Sequence, residues 1–167
     1  MFTIEQLVDF YQLEPHPEGG FYQETYRSKE SISQQSLPDR FKGERSFSTA
    51  IYFLLPAGHF SSFHRIKSDE LWHFYAGEAL HIYVIDDEGA LTTINLGADI
   101  LNGETMQAVV PAGCWFASRP VKSTGYCFVG CTVSPGFDFA DFELARAEEL
   151  TQFYPEHKEL INSLCRQ

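Results

Sequence analysis

Between residues 46 and 133 the sequence alternates short apolar runs with turn signals, and this alternation restricts the fold more than any other feature. The runs cover residues 47–55, 60–66, 71–76, 80–85, 91–96, 106–110 and 125–133. Each run is short enough for a strand, and no helical stretch separates them, so helical crossovers between parallel strands are not expected. Seven or more antiparallel strands at this spacing predict a β-sandwich or a barrel.

The two ends of the chain depart from this β pattern. Thr3-Ile-Glu-Gln6 has the spacing of a capping box and precedes apolar residues at helical intervals, which predicts a short N-terminal helix. Residues 21–27 have the composition of a strand, and residues 28–44 that of a long surface loop. Helix formers over residues 141–150 and a last amphipathic segment over 160–164 predict C-terminal helices. The chain is therefore predicted as mainly β with short flanking helices at both termini.

Length and composition restrict the class of protein further. A chain of 167 residues is expected to form one domain, over residues 1–167. An apolar content of 44% excludes disorder, and the apolar runs are far shorter than the roughly 20 residues that cross a bilayer. A net charge of -11 opposes binding to phosphate backbones, which requires clustered Lys and Arg. We expect a soluble protein with neither nucleic acid nor membrane as a partner.

Two features bear on the cellular compartment. The N-terminus, MFTIEQLVDF, lacks the basic start, apolar stretch and cleavage site of a secretory signal. The four cysteines, Cys114, Cys127, Cys131 and Cys165, form no CxxC pair, and we interpret them as structural free thiols. A cytoplasmic location is therefore expected.

The segments GHFSSFHRIKSDELWHFYAG (58–77) and PAGCWF (111–116) carry the strongest functional signal. Their spacings resemble the two cupin motifs, in which His-x-His, Glu and a third His supply the metal ligands. His64 and Glu70 match two of these positions. Ile66 and Phe116 stand at the other two, so half of the ligand positions are apolar.

Four segments narrow this resemblance to one branch of the superfamily. They are HPEGGFYQETYRS (16–28), SDELWHFYAG (68–77), VPAGCWF (110–116) and GCTVSPGFDF (130–139). In this order, over roughly residues 4–145, they resemble the cupin_5 family, also called DUF985, of the RmlC-like cupin superfamily. The resemblance implies a double-stranded β-helix, or jelly roll, of the kind shared with dTDP-sugar 3,5-epimerases, and a homodimer. It implies no reaction, because one fold hosts many functions.

Strand alternation predicts which side chains face the inside of the jelly roll. With His64 directed inward, Ser62 and Ile66 share its face, and Glu70 is expected to face inward from the next strand. The predicted pocket residues are Tyr52, Ser62, Ile66, Trp72, Phe74, Gln107, Trp115, Phe116 and Arg27.

For several of these residues a structural role is an open alternative. Arg27 could hold a carboxylate or phosphate, but an Arg at a strand end is more often a surface or interface residue. Gln107 could equally face solvent, and Tyr52, Trp72 and Trp115 could belong to the core. Glu18, Tyr22 and Glu24 are noted only because they stand in the family-like motif.

The predicted donor set is too small for a tightly held metal ion. Catalytic zinc keeps three protein ligands, and non-haem iron needs two histidines and a carboxylate. His64 and Glu70 supply one of each, and His59 and His73 face away by parity. His81 is the remaining candidate for a third ligand. We predict a site without a metal ion or other cofactor.

A histidine and a carboxylate in an aromatic cavity can still transfer protons. We interpret His64 and Glu70 as the catalytic pair of a pocket that binds a small polar, sugar-like molecule and could isomerise or epimerise it without metal. Three alternatives stay open. The pair could be a hydrogen-bonded remnant of an older site, the protein could be a mononuclear metalloenzyme with an unexpected third ligand, or the pocket could be a non-catalytic ligand-binding module.

Overall fold

The structure is a computed structural model that describes residues 2–166, so Met1 and Gln167 of the predicted domain lie outside the described residues. Its three α-helices are α1 Ile4–Tyr11, α2 Ala147–Phe153 and α3 Lys158–Ser163. The strands are β1 Glu14–Pro15, β2 Phe21–Arg27, β3 Ser31–Ile32, β4 Arg45–Ser46, β5 Thr49–Pro56, β6 Ser61–Arg65, β7 Asp69–Gly77, β8 Leu80–Ile85, β9 Leu91–Leu96, β10 Gln107–Val110, β11 Trp115–Pro120, β12 Tyr126–Ser134 and β13 Glu143–Leu144.

Two large antiparallel sheets make up the fold. The first has the order β1-β2-β5-β12-β7-β10 and the second β13-β6-β11-β8-β9, while β3 and β4 form a separate ribbon. Many strand neighbours in these orders are not consecutive in the chain, which is the connectivity of a jelly roll. The structure confirms the predicted mainly β fold with short helices at both termini.

The core lies between the two sheets and continues on their outer faces. The inner cluster joins side chains of both sheets, such as Phe53 and Trp72 from the first and Ile82 and Phe116 from the second. On the outer face of the second sheet, a cluster of apolar side chains is covered by α2 and α3. On the outer face of the first, α1 covers another. Both sheets are therefore buried on two faces over much of their area.

The N-terminal helix forms as its capping signal predicts. The Gln6 backbone N–H donates to Thr3 Oγ1 at 3.2 Å, and the Thr3 backbone N–H donates to Gln6 Oε1 at 2.9 Å. Leu7 is buried against the first sheet, so the capping box fixes where this helix begins and which face it presents. Among the described residues, no helix is long and apolar enough to cross a membrane.

Two local predictions were wrong. Strand β11 was missed, because its Ser118, Arg119 and Pro120 interrupt the apolar pattern, although the strand lies between β6 and β8. The helix predicted over residues 141–150 begins only at Ala147. The first residues of the predicted segment make other contacts: the Asp141 side chain accepts two hydrogen bonds from Arg45, and residues 143–144 pair with β6.

Candidate functional site

A cavity of about 330 Å³ lies on the inner face of the first sheet, beside β6 and the segment of residues 137–142. Four predicted site residues line it, namely His64, Glu70, Ile66 and Arg27. The complete lining is His16, Glu18, Tyr22, Glu24, Arg27, Thr49, Ile51, His64, Ile66, Glu70, Cys131, Val133, Phe137, Asp138, Phe139 and Phe142. His64 and Glu70, which the sequence predicts to face the same side, therefore line one cavity.

The direct partner of His64 is Glu18, which the sequence prediction missed. His64 Nε2 lies 2.8 Å from Glu18 Oε2, and His64 Nδ1 lies 2.7 Å from the carbonyl oxygen of Ser62. A carbonyl oxygen and a carboxylate both accept hydrogen bonds, so both ring nitrogens carry a proton and the ring is an imidazolium. Burial opposes this charge, but the Glu18 carboxylate outweighs it and raises the pKa of His64.

Glu18 keeps its negative charge for the complementary reason. Burial alone would raise its pKa, yet the charge and hydrogen bond of His64 bring the pKa of Glu18 below its ordinary value. The two groups thus form a buried ion pair whose side chains are 4% and 8% exposed. Such a pair is costly to desolvate, so each partner depends on the other.

A tight turn before β2 positions Glu18. The Ser62 N–H donates to the Glu18 carbonyl oxygen at 2.8 Å, which holds the turn against β6. Gly19 and Gly20 both have positive φ, and a Cβ on Gly19 would overlap the carbonyl oxygen of Phe60. The HPEGG segment therefore requires its glycines to bring this carboxylate to His64. The only sequence signal for Glu18 was its place in the family-like motif.

His16 is a second lining residue that the prediction missed. Its Nδ1 accepts a hydrogen bond from the Glu18 N–H at 3.2 Å and lies 3.7 Å from Glu18 Oε2. Burial, with the nearby imidazolium of His64, lowers the pKa of His16 despite the attraction of Glu18. His16 is therefore a neutral ring with its proton on Nε2.

Glu70 is the cavity residue whose protonation is poised near neutrality. It is 7% exposed, and the Cys131 thiol donates a hydrogen bond to its carboxyl group. Burial is the main cause that raises the pKa of Glu70 to about 7; the charge of His64 opposes the rise and that of Glu18 adds to it. A carboxyl group with this pKa can both accept and donate a proton at physiological pH.

The rim of the cavity is formed by Arg27 and an aromatic segment. Arg27 donates to both carboxylate oxygens of Glu24 at 3.0 and 2.8 Å, and to the carbonyl oxygen of Phe137 at 3.1 Å. The rings of Phe139 and Phe142 pack together 6.0 Å apart. This geometry does not favour the predicted binding of a carboxylate or phosphate by Arg27, because its guanidinium already donates hydrogen bonds to Glu24 and Phe137.

Three predicted pocket residues belong to the core between the sheets. Trp72 and Phe116 are each 1% exposed, and Phe74 packs against the same cluster. The centroids of the Phe116 and His64 rings lie 4.0 Å apart, so the two rings are in contact. These side chains are packed within the core cluster and are not among the residues that line the cavity.

The other four lie outside the cavity for different reasons. Ser62 is fully buried and contributes its carbonyl oxygen to His64 rather than its hydroxyl to the pocket. Tyr52 lies on the opposite face of β5 with its ring 4.6 Å from that of Tyr11. Gln107 is exposed on β10, as its alternative interpretation stated. Trp115 packs against the outer cluster of the second sheet, under the Arg65 guanidinium at 4.4 Å.

The residues present do not fit a cupin metal ion. Ile66 and Phe116 have no donor atoms, and both nitrogens of His64 are hydrogen-bonded. Over residues 2–166, no group of three or more His, Cys, Asp or Glu is arranged to hold a metal ion. His81, the candidate third ligand, is not among the cavity residues and lies 3.2 Å from the Tyr83 hydroxyl on β8.

The fold and this His-carboxylate cavity define a protein of the cupin class. Residues 5–145 match the family described as Cupin superfamily (DUF985), and the chain belongs to this family. This confirms the resemblance drawn from the sequence.

Several known proteins are similar over most of the chain. An uncharacterized protein of Saccharomyces cerevisiae, YML079W, is 30% identical over 156 residues, 88% of this chain and 77% of that protein. The crystal structure of protein SO0799 of Shewanella oneidensis has a TM-score of 0.90 at 44% identity and 99% coverage of both chains. A hypothetical protein of Leishmania major has a TM-score of 0.88 at 34% identity, covering 99% of this chain and 100% of that one. None of these names states an activity.

A more distant neighbour shows the fold alone. Oxalate decarboxylase of Bacillus subtilis has a TM-score of 0.55 at 15% identity, with 90% of this chain aligned to 36% of that one.

Proposed function

We propose that the cavity binds a small polar, sugar-like molecule without a metal ion and catalyses a proton transfer on it, as an isomerase or epimerase does. The observation that carries this proposal is Glu70, a buried carboxyl group with a pKa of about 7 that lines the cavity together with the charged ring of His64. Pairs of titratable groups whose surroundings separate their pKa values are typical of acid-base sites.

Each group has a separate part in the proposed reaction. Glu70 removes a proton from a carbon next to a carbonyl group, and the electrons move to the carbonyl oxygen. The positive charge of His64 stabilises the resulting enediolate, and Glu18 keeps His64 charged. In an isomerisation, a proton passes from the adjacent hydroxyl group to the former carbonyl oxygen, and Glu70 returns its proton to the carbon that carried the carbonyl group. In an epimerisation, a water molecule adds a proton to the opposite face of the carbon that lost one, and Glu70 gives its proton to solvent.

Two measurements in sequence test this proposal. A library of sugars and related metabolites is screened by thermal shift, because a ligand at 100 times its Kd stabilises the protein by about 2.7 kcal/mol. Each ligand found is then incubated with the protein in D₂O, and proton exchange is followed by NMR. Glu70→Gln is expected to abolish exchange even at ligand concentrations that saturate the variant, and unchanged exchange in this variant would contradict the mechanism.

A non-catalytic binding module is the alternative that the same experiment separates. Binding without any exchange in the wild-type protein would favour it. The metal-dependent alternative is tested by elemental analysis of protein purified without chelator, for which we expect substoichiometric metal. A stoichiometric ion that is lost in His64→Ala would overturn the metal-free proposal.

We also propose that the protein is a homodimer located in the cytoplasm. Strand β10 lies at the edge of the first sheet, and its Val109 is 48% exposed, which supports pairing along this edge. Sedimentation is expected to show a dimer that Val109→Lys weakens. A wild-type protein that remains monomeric at micromolar concentration would contradict the proposal.

A further inference from the structure

The cationic side chains that line the cavity are already bound by carboxylates of the chain. Arg27 donates two hydrogen bonds to Glu24 and a third to a backbone carbonyl oxygen. His64 donates one ring N–H to Glu18 and the other to a backbone carbonyl oxygen. The remaining imidazole, His16, accepts a backbone hydrogen bond through Nδ1. An incoming anion would have to compete with these internal partners for each positive charge.

One buried carboxyl group of the cavity, in contrast, lacks a cationic partner within hydrogen-bond distance. Glu70 is 7% exposed, and it takes part in none of the ion pairs formed within residues 2–166. Its hydrogen-bond donor is a neutral thiol, that of Cys131. A buried carboxylate is stabilised most by a cation within hydrogen-bond distance.

The walls of the cavity are suited to an organic cation. Its lining includes four aromatic side chains, those of Tyr22, Phe137, Phe139 and Phe142. The faces of aromatic rings attract ammonium groups, and the rings also bury the carbon skeleton that carries the charge. The net charge of -11 over the whole chain further favours the approach of cations.

We infer that the ligand of this cavity is a small organic ammonium compound, such as an amino sugar, with its ammonium group at Glu70 and its carbon skeleton against the phenylalanine rings. This inference rests on the proposed function, since it names the ligand class of the same cavity. Anionic sugars, including sugar phosphates and nucleotide sugars, are disfavoured because Arg27 and His64 are engaged. An inorganic cation would lack the set of ligands that it needs.

Three compounds with the same carbon skeleton and different charge provide the test. Glucamine is a cation, sorbitol is neutral and gluconate is an anion at pH 8. Their Kd values are measured by NMR titration of the wild-type protein. We expect glucamine to bind at least about tenfold more tightly than sorbitol, as a charge-assisted hydrogen bond would give, and gluconate to bind more weakly than both.

Two variants test whether cavity residues cause the preference for glucamine over the other two compounds. Glu70→Gln keeps the shape and removes the charge, so glucamine and sorbitol are expected to bind with similar Kd values. Glu24→Gln releases Arg27, so gluconate is expected to bind several-fold more tightly than it does to the wild type. Glu143→Gln, on exposed β13 outside the cavity, is the matched control and is expected to leave all three Kd values unchanged.

The outcomes separate this inference from the proposed function. If sorbitol or gluconate binds as tightly as glucamine, the charge assignment is overturned and the sugar-like pocket stands. If none of the three binds at the highest soluble concentration, the ligand assignment is overturned, and the metabolite screen decides the proposed function separately. A glucamine preference that persists in Glu70→Gln also refutes the assignment. Should that variant fail to fold, the wild-type series and Glu24→Gln still decide the question.

Discussion

The replacement Glu70→Gln is expected to change the pH dependence of stability in a definite direction. Raising the pKa of Glu70 from 4.5 to about 7 means that the folded protein holds this proton more tightly than the unfolded chain does. Stability from this group is complete below pH 4.5 and is lost as the pH rises through about 7. The loss amounts to about 3 kcal/mol, since one pKa unit corresponds to about 1.4 kcal/mol.

Gln cannot ionise, so the variant lacks this loss. Urea unfolding of both proteins at pH 4.5 and at about pH 8 measures the effect. Any packing cost of the amide enters at both pH values and cancels in the comparison. Relative to the wild type, the variant should be about 3 kcal/mol more stable at the higher pH than at the lower.

The control Glu88→Gln changes an exposed carboxylate in the turn between β8 and β9, and its effect on stability is expected to be equal at the two pH values. Equal stability differences for Glu70→Gln at the two pH values would refute the assignment of a raised pKa. A larger relative stability of the variant at the lower pH would mean that the pKa of Glu70 is lowered by its surroundings.

Three further predictions concern neighbouring groups. Glu18→Gln removes the carboxylate that raises the pKa of His64, so NMR titration should find this ring neutral at pH 7 in the variant and charged in the wild type; an unchanged titration would contradict the ion pair. Asp141→Asn leaves the buried Arg45 without its two 2.7 Å hydrogen bonds to a carboxylate, and unfolding in urea should show a loss of about 3–5 kcal/mol. Phe116→Ala should cost about 3–5 kcal/mol in the same assay, because the ring is 1% exposed between the sheets; a loss below about 1 kcal/mol would show that the site can collapse.

The local patterns of the sequence predicted most of the strands. Once the cupin-like motif directed His64 inward, alternation placed Ile66 and Glu70 on the same side, and all three line the cavity. The same rule failed for Tyr52. Strand β5 carries apolar side chains on both faces, so alternation alone does not say which face is inside.

The ion-pair partner of His64 could not be predicted from local sequence patterns. Glu18 lies in a turn before β2, and the sequence of that turn does not indicate which strand the Glu18 side chain will contact. The missed strand β11 has a similar explanation. Its polar Ser118 is 0% exposed because neighbouring strands cover it, and this burial is a property of the tertiary fold rather than of the segment.

The turn that carries Glu18 joins His64 to a part of the chain that is distant in sequence. His64 and Glu18 are separated by β2, the loop that follows it and β5, so their contact closes a long stretch of chain. Such contacts lose chain entropy before they gain any interaction energy, and they favour slow formation. The strands beside His64 pair over still longer separations, as β6 does with β11 and β13. The charged state of His64 is therefore not a local property of β6: it arises only where the turn and the strand meet in the folded chain, and the electrostatics of the cavity depend on tertiary structure.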